Sequence, residues 1–280
     1  MALQMYVHDV GHGQSVHLIS PAGEVIVIDL GCSSTFSPLE WLSSFTKTID
    51  CLIITHPHGD HIDEFLDIKK HKLNVRQLWR PKDLPKEEVY KQNQTEYTDK
   101  LDAYYSMSDR YNKKIEDNAR VGNPSVSGGM LMTSYRSNDC GISSINNHSL
   151  VSVIEYLGFT IVVPGDNEVP SWNALLKNTN FANVMQRANI FMASHHGRVN
   201  GYCEEIFISK PDLCIVSDGR VQSTDARDRY TYHANGMKVH KRQSKSVEER
   251  SCVTTRADGY VFVNIDTDAS NSPTLTVEID

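Results

Sequence analysis

No run of about 20 apolar residues occurs in this chain, so no segment reads as a membrane-spanning helix. The N-terminus also lacks the charged stretch and apolar core of a signal peptide, and goes straight into strand-like sequence. Cysteine pairs are missing too. Cys32, Cys51, Cys140, Cys203, Cys214 and Cys252 are widely spread with no Cys-x-x-Cys, and several sit in apolar stretches such as Leu213-Cys214-Ile215-Val216. They read as buried, reduced thiols, which argues against a disulfide scaffold and for a cytoplasmic setting. An excess of basic charge is absent as well: 28 Lys and Arg stand against 35 Asp and Glu, a net charge of -7. That balance argues against indiscriminate coating of nucleic acid and leaves room for a local basic groove.

What the chain does have is a concentration of metal-ligand types. Ile54-Thr55-His56-Pro57-His58-Gly59-Asp60-His61 follows the apolar run Cys51-Leu52-Ile53-Ile54, which reads as a buried strand. The loop behind it would carry His56 and His58, two apart and able to point the same way, with Asp60 and His61 serving a second point nearby. Imidazole and carboxylate are donors for zinc, manganese or iron rather than calcium.

Around this loop the pattern predicts strands over 3–10, 15–19 and 25–30, with Pro21-Ala22-Gly23 as a turn. A short helix over Pro38 to Phe45 and another over Asp63 to His71 follow, the latter turning Phe65, Leu66 and Ile68 inward. Residues 72–140 are the least regular. Lys86–Asn93 and Thr98–Asn118 look helical and carry Tyr90, Tyr97, Tyr104, Tyr105 and Tyr111; Pro124 to Gly129 reads as a flexible linker. Further strands are expected over Leu150–Tyr156 and Phe159–Val163 around Gly158, over Ile190–Ala193 and over Leu213–Val216, with a helix starting at Trp172.

The His56–His61 stretch is an HxHxDH signature, and with it the chain resembles the metallo-β-lactamase superfamily. Within that superfamily, Asp9-Val10-Gly11-His12-Gly13-Gln14-Ser15 followed by Ile26-Val27-Ile28-Asp29-Leu30-Gly31 is similar to the opening of the ComEC-type competence-protein domain. Ser149-Leu150-Val151, Val163-Pro164-Gly165-Asp166, Ser194-His195-His196-Gly197, Tyr232-His233 and Thr254-Thr255 before Gly259-Tyr260-Val261 follow in the order of that branch. His12 and Gln14 depart from its usual Gly-Gln-Gly-Asp. The resemblance implies an α/β fold, the four-layer αββα sandwich, as a single domain over 1–280 with a helical insertion or lid at about 72–140.

It also implies a site for two divalent metal ions, zinc or manganese. His56 and His58 match the ligands of the first ion, Asp60 and His61 those of the second, and Asp166 the bridging carboxylate. His148, or Asn147 beside it, would complete the first ion. Aligning on His-Gly makes His196 the ligand of the second ion and leaves His195 for phosphate contact or proton transfer; the reverse register is the alternative. Asp29 would orient a ligand histidine from behind, or else cap the Gly31 turn. His233 would be a general acid, or a surface histidine. His8, His12, His17, His71 and His240 have no constellation around them and read as structural or solvated, His12 least safely because of its Gly-rich loop.

Two metals with a bridging hydroxide suit hydrolysis, and Asp60, His195 and His233 are the residues expected to take part besides pure ligation. The branch, and the basic residues of 220–250 including Lys238-Val239-His240-Lys241-Arg242, lean toward a nuclease or other phosphodiesterase acting on nucleic acid or nucleotide. A cyclic-nucleotide phosphodiesterase is close to that expectation, and the tyrosines of the insertion would stack bases in either case. A small, apolar, arginine-free pocket would instead favour a lactone or thioester hydrolase. Action within a multi-protein system is open, with no partner named by the sequence.

Overall fold

Period-two alternation builds the first strand: in β1 (Leu3–Val7), Leu3, Met5 and Val7 are buried while Gln4 and Tyr6 are half-buried. The computed structural model describes residues 1–219 and 225–280. Fourteen more strands follow: β2 Val16–Ile19, β3 Val25–Ile28, β4 Thr48–Ile53, β5 Asn74–Trp79, β6 Leu131–Tyr135, β7 Val151–Tyr156, β8 Phe159–Val163, β9 Ile190–Met192, β10 Leu213–Val216, β11 Met237–Lys241, β12 Val247–Arg250, β13 Cys252–Thr254, β14 Val261–Thr267 and β15 Pro273–Ile279. They form a nine-stranded sheet, β12-β11-β15-β14-β1-β2-β3-β4-β5, and a six-stranded one, β13-β10-β9-β8-β7-β6.

Three apolar clusters separate four layers. Met5, Leu18, Ile28 and Ile53 of the first sheet share one core with Ile154, Ile161, Met192 and Ile215 of the second. Trp172, Phe181 and Tyr230 pack helices on Phe191 at the outer face of the second sheet. Leu39, Leu42, Phe65 and Tyr104 do the same for the first. The fold is therefore the αββα metallo-β-lactamase sandwich. Strands β3, β4 and β5 run parallel, as do β8, β9, β10 and β13. Parallel pairing gathers the carboxyl ends of β3 and β4 along one edge of the first sheet, and those of β8, β9 and β10 along one edge of the second.

Several expectations need correcting. The helix foreseen over Asp63 to His71 is regular only over Asp67–Lys70. The Glu64 amide donates instead to Leu30 O (2.9 Å), which ties that turn to the sheet and leaves Leu66 47% exposed. The region 72–140 is not all insertion, because β5 and β6 lie within it; Val75 and Leu78 are buried in β5. The inserted helices are Lys86–Lys91 and Thr98–Arg110. Pro124 to Gly129 is a hydrogen-bonded turn rather than a free linker, with Gly129 N on Pro124 O and Gly122 N on the buried Ser127 Oγ (both 2.8 Å). Cys32 and Cys140 are partly exposed, while the other four cysteines are buried and all six are free. Among the described residues no helix is long and apolar enough to cross a membrane.

Glu64 closes the helix Pro38–Ser43 onto the first sheet by accepting from Ser37 Oγ and from Leu39 N (3.0 Å). Burial pushes its carboxyl up from 4.5 to about 7, against those two hydrogen bonds. The folded chain then keeps this proton to about pH 7 while the unfolded chain releases it near 4.5. Its contribution to stability is full below 4.5 and is lost as pH rises through about 7. In Glu64→Gln the decline of the thermal midpoint between about pH 5 and pH 8 should be shallower than in wild type. An identical decline in the two proteins would show that this carboxyl does not titrate as its burial requires.

Candidate metal centre

Three strand ends deliver the ligand side chains. After β4, Thr55 to His61 turns through a single short 3-10 turn, Gly59–His61. After β8, Pro164 and Gly165 place Asp166. Gly165 has φ 62°, and a Cβ there would lie 2.8 Å from the Thr55 Cβ, so the two loops meet only because this residue is glycine. After β9, His195 (φ 51°, ψ 50°) and His196 (φ 53°, ψ 31°) are consecutive left-handed residues. Such non-glycine residues cost about 1–2 kcal/mol each and persist where surroundings fix them. Here His195 N donates to Gly165 O (3.2 Å), and Ser194 Oγ to Gly165 O and Asn167 O.

The side chains converge on Asp166. Donor atoms of Asp60, His61, Asp166 and His196 all lie within 4.8 Å of one another. His61 Nε2 is 3.2 Å from Asp166 Oδ1, and His196 Nε2 is 3.2 Å from Asp60 Oδ2 and 3.5 Å from Asp166 Oδ2. Around the same carboxylate, His56 Nε2 and His195 Nε2 stand 3.9 and 3.7 Å from Asp166 Oδ2, and His58 Nδ1 is 2.9 Å from His56 Nε2. His61 Nε2, His196 Nε2 and Asp166 Oδ1 are buried without hydrogen-bond partners. Orphaned, convergent imidazole and carboxylate donors are what a divalent metal satisfies, so the residues present fit that group.

The far nitrogens are fixed from behind. Asp29, itself at φ 60°, accepts from His61 Nδ1 (2.7 Å), Thr55 N (2.7 Å), Thr55 Oγ1 (2.7 Å) and Gln14 Nε2 (2.9 Å). His196 Nδ1 meets Ser217 O at 3.1 Å. Each contact directs the proton to Nδ1 and leaves Nε2 free as a ligand. Burial opposes charge on Asp166, yet the neighbouring imidazoles of His61, His196 and His195 hold its carboxyl well below the usual range. Reciprocally, burial is outweighed at His196 by Asp166 and Asp60, and its pKa stands at about 9.

Three expected participants lie elsewhere or in a changed role. His148 turns its Nε2 to Gly141 O (2.6 Å) instead of joining the cluster. Asn147 and Asn146 both donate to Glu168 rather than joining the cluster. His233 stacks on Phe207 (centroids 4.8 Å, 18°) beside Tyr202 in the outer aromatic layer, which gives no support to a general-acid role. The segment Lys238–Arg242 is largely strand β11, paired on both sides by β12 and β15; Lys241 pairs with Glu248 and Arg242 with Asp280, so those two cations are already engaged. Arg220 lies outside the described residues. Of the insertion's tyrosines, Tyr104 is buried on Phe65 and Tyr90 stacks on Tyr105. Only Tyr97 borders the metal loop, filling the space a Gly59 Cβ would need.

His12 belongs to the site, against expectation. Its Nε2 is 3.3 Å from Asp60 Oδ2, its ring centroid is 4.9 Å from that of His196, and Arg198 Nη2 is 3.3 Å from the same Nε2. The Gly-rich loop was the signal for it. A Cβ on Gly13 would lie 2.7 Å from Asp60 O, so this loop packs directly on the metal loop.

A two-sheet sandwich of the metallo-β-lactamase fold with a buried His/Asp donor cluster at one edge defines a candidate divalent-metal site. Residues 10–116 match the family model of the metallo-beta-lactamase superfamily. The match takes in His12, Asp29 and the whole His56–His61 loop. Among solved structures, the chain is similar to a protein provisionally described as a metal-dependent hydrolase from Parabacteroides distasonis, at 14% identity and a TM-score of 0.45, covering 88% of this chain and 90% of that one. It is also similar to Zn(2+)-bound PqqB from Methylobacterium extorquens, at 10% identity and a TM-score of 0.38, covering 69% and 72%. Both likenesses are too low to bear on this chain's chemistry. No curated protein matches the sequence.

Asp29→Asn should weaken divalent-metal binding by about 10–100-fold while Asp166 and the other donors remain, because His61 loses the acceptor that fixes its ring. Competition with a chelator, read by elemental analysis, checks this; unchanged affinity would remove Asp29 from the metal centre.

Proposed function

We propose that the protein is a metal-dependent hydrolase of phosphodiesters, a nuclease or a nucleotide phosphodiesterase. One observation carries the reading: four imidazoles, of His56, His61, His195 and His196, stand within 4 Å of the Asp166 carboxylate, and Arg198 stands beside the cluster at His12. His56, His58 and Asp166 would hold one cation, with His195 Nε2 facing the same Asp166 oxygen. Asp60, His61, His196 and Asp166 would hold the other. Bound there, a pair of divalent ions activates water and neutralises charge on the attacked phosphoryl group.

The chain's own residues prepare the rest. Asp29 and the Ser217 carbonyl set the ring orientations of His61 and His196. Glu168 Oε1 lies 3.6 Å from His195 Nδ1, beyond hydrogen-bond reach, and sets a negative charge behind that ring. Glu168 is in turn held by Asn200 (2.7 Å) and Asn147 (3.2 Å). A lactone or thioester site would call for an arginine-free mouth, and the His12–Arg198 contact runs against that. With Lys241 and Arg242 already paired, a nuclease of this design would grip the scissile diester locally rather than track a long backbone.

The test is hydrolysis of bis(p-nitrophenyl) phosphate, single-stranded DNA and RNA with Mn²⁺ or Zn²⁺, beside an Asp60→Ala/His61→Ala variant. Metal-dependent cleavage in wild type, reduced to background in the variant, is the expected outcome. No turnover of any of the three, with two metals bound per chain, would sink the phosphodiesterase reading.

A further inference from the structure

We propose that Arg198 and His12 form an anion-binding subsite at the mouth of the metal cluster, which receives a non-bridging oxygen of the phosphodiester. The inference rests on the phosphodiesterase reading and adds the residues that select an anionic phosphoryl group. His12 Nε2 is a single atom with two claimants, Asp60 Oδ2 and Arg198 Nη2, each 3.3 Å away. Protonated, that nitrogen donates to Asp60; bare, it accepts from the guanidinium. It cannot do both. One neighbour is therefore always left with unused hydrogen-bonding capacity, and Arg198, with five N–H donors in a planar fork, has donors to spare in either case.

Several other arginines of the chain are engaged with carboxylates. Arg242 holds Asp280 (2.7 Å), Arg250 holds Asp258 (3.0 Å), and Arg256 sits between Asp218 and Asp225 (3.3 Å each). Among the described residues no carboxylate lies within 4.0 Å of the Arg198 guanidinium. A guanidinium without an acidic partner, beside a cluster built to hold cations, is suited to the two-pronged recognition of a phosphoryl group.

The backbone beneath the two side chains is fixed while their tips are accessible. A Cβ on Gly219 would lie 2.9 Å from His12 N, and Ser217 Oγ donates to Gly13 O (2.9 Å), so the His12 loop is wedged in place. Arg198 N is bonded to His195 O (3.0 Å), Ala226 N to Gly197 O (2.8 Å), and Arg198 forms a β-bridge with Asp225. The His12 side chain nevertheless remains 46% exposed. Such a pair is positioned before substrate arrives, which limits the ordering cost of binding. His12 stands where the ComEC-type pattern carries glutamine, so the pair is a property of this sequence.

The experiment uses the metal-loaded full chain with inorganic phosphate as the probe. Phosphate binding is measured by calorimetry, and KM and kcat for bis(p-nitrophenyl) phosphate are measured alongside, for wild type, Arg198→Ala, Arg198→Lys and His12→Ala at matched metal content and thermal midpoint. Arg198→Ala should weaken phosphate binding about tenfold or more and act mainly on KM, Arg198→Lys should recover part of the loss, and His12→Ala should weaken binding by a smaller factor. Unchanged phosphate affinity and KM in Arg198→Ala would overturn the subsite and leave the phosphodiesterase reading standing. Loss of bound metal in that variant would also overturn it, since Arg198 would then support the metal centre itself. A wild type with full metal content that neither binds phosphate nor cleaves any diester would overturn both.

Discussion

A single buried carboxylate joins the parts on which the site depends. Asp29 accepts from the backbone and hydroxyl of Thr55, from the amide of Gln14 and from the imidazole of His61, so one side chain ties the end of β3, the end of β4 and the Gly-rich loop together. A fully buried carboxylate is tolerable only when its lone pairs are satisfied, and here four donors do so. Each is also a positional constraint. His61 is aimed at Asp166, Thr55 N fixes the start of the metal loop, and Gln14 holds the loop that brings His12 to Asp60. Loss of that carboxylate would leave three elements without a common anchor.

The second sheet answers with strain rather than with a buried charge. His195 and His196 both occupy left-handed backbone, and Asp166 follows a glycine with no room for a side chain. Bonds from Ser194 and His195 back to the 165–167 loop hold this arrangement. The result is an edge where carboxylates and imidazoles face one another at 3–4 Å with unpaired nitrogens and oxygens between them. A folded chain tolerates such a cluster because opposite charges partly compensate, and a cation would compensate the rest.

Much of the site was readable because it is local. His56, His58, Asp60 and His61 come from one eight-residue loop, and the strand that delivers it is an unbroken apolar run. Asp166 and His196 each sit directly after a strand of the same kind, so hydrophobic periodicity was enough to place them at strand ends. Position within a strand-end loop does not fix direction, however. His148 lies in the expected neighbourhood and turns to the Gly141 carbonyl, whereas Asn146 and Asn147 beside it turn to Glu168. The Lys238–Arg242 segment looked like a free basic run because its partners, Glu248 and Asp280, arrive from other strands. The tyrosines of the insertion likewise found partners in one another and in Phe65, and only Tyr97 was left beside the metal loop.

The layer order of the sandwich was implied by the family resemblance, while the sequence by itself determined the strand and turn positions, through apolar runs and turn signals, and the donor types of the metal loop, through spacing within a few residues. Both are short-range properties, carried by the chain over the length of one strand or one turn. Tertiary structure decided which histidines serve the site and which serve the core. His12 and Arg198 are 186 residues apart and meet only in the folded chain, where Gly13 packs on the metal loop and Gly219 on the His12 backbone. His233 was withdrawn into an aromatic layer by Phe207 and Tyr202. Those outcomes depend on contacts between segments distant in sequence, where loop closure and packing fix the direction of a side chain, and no local pattern encodes them.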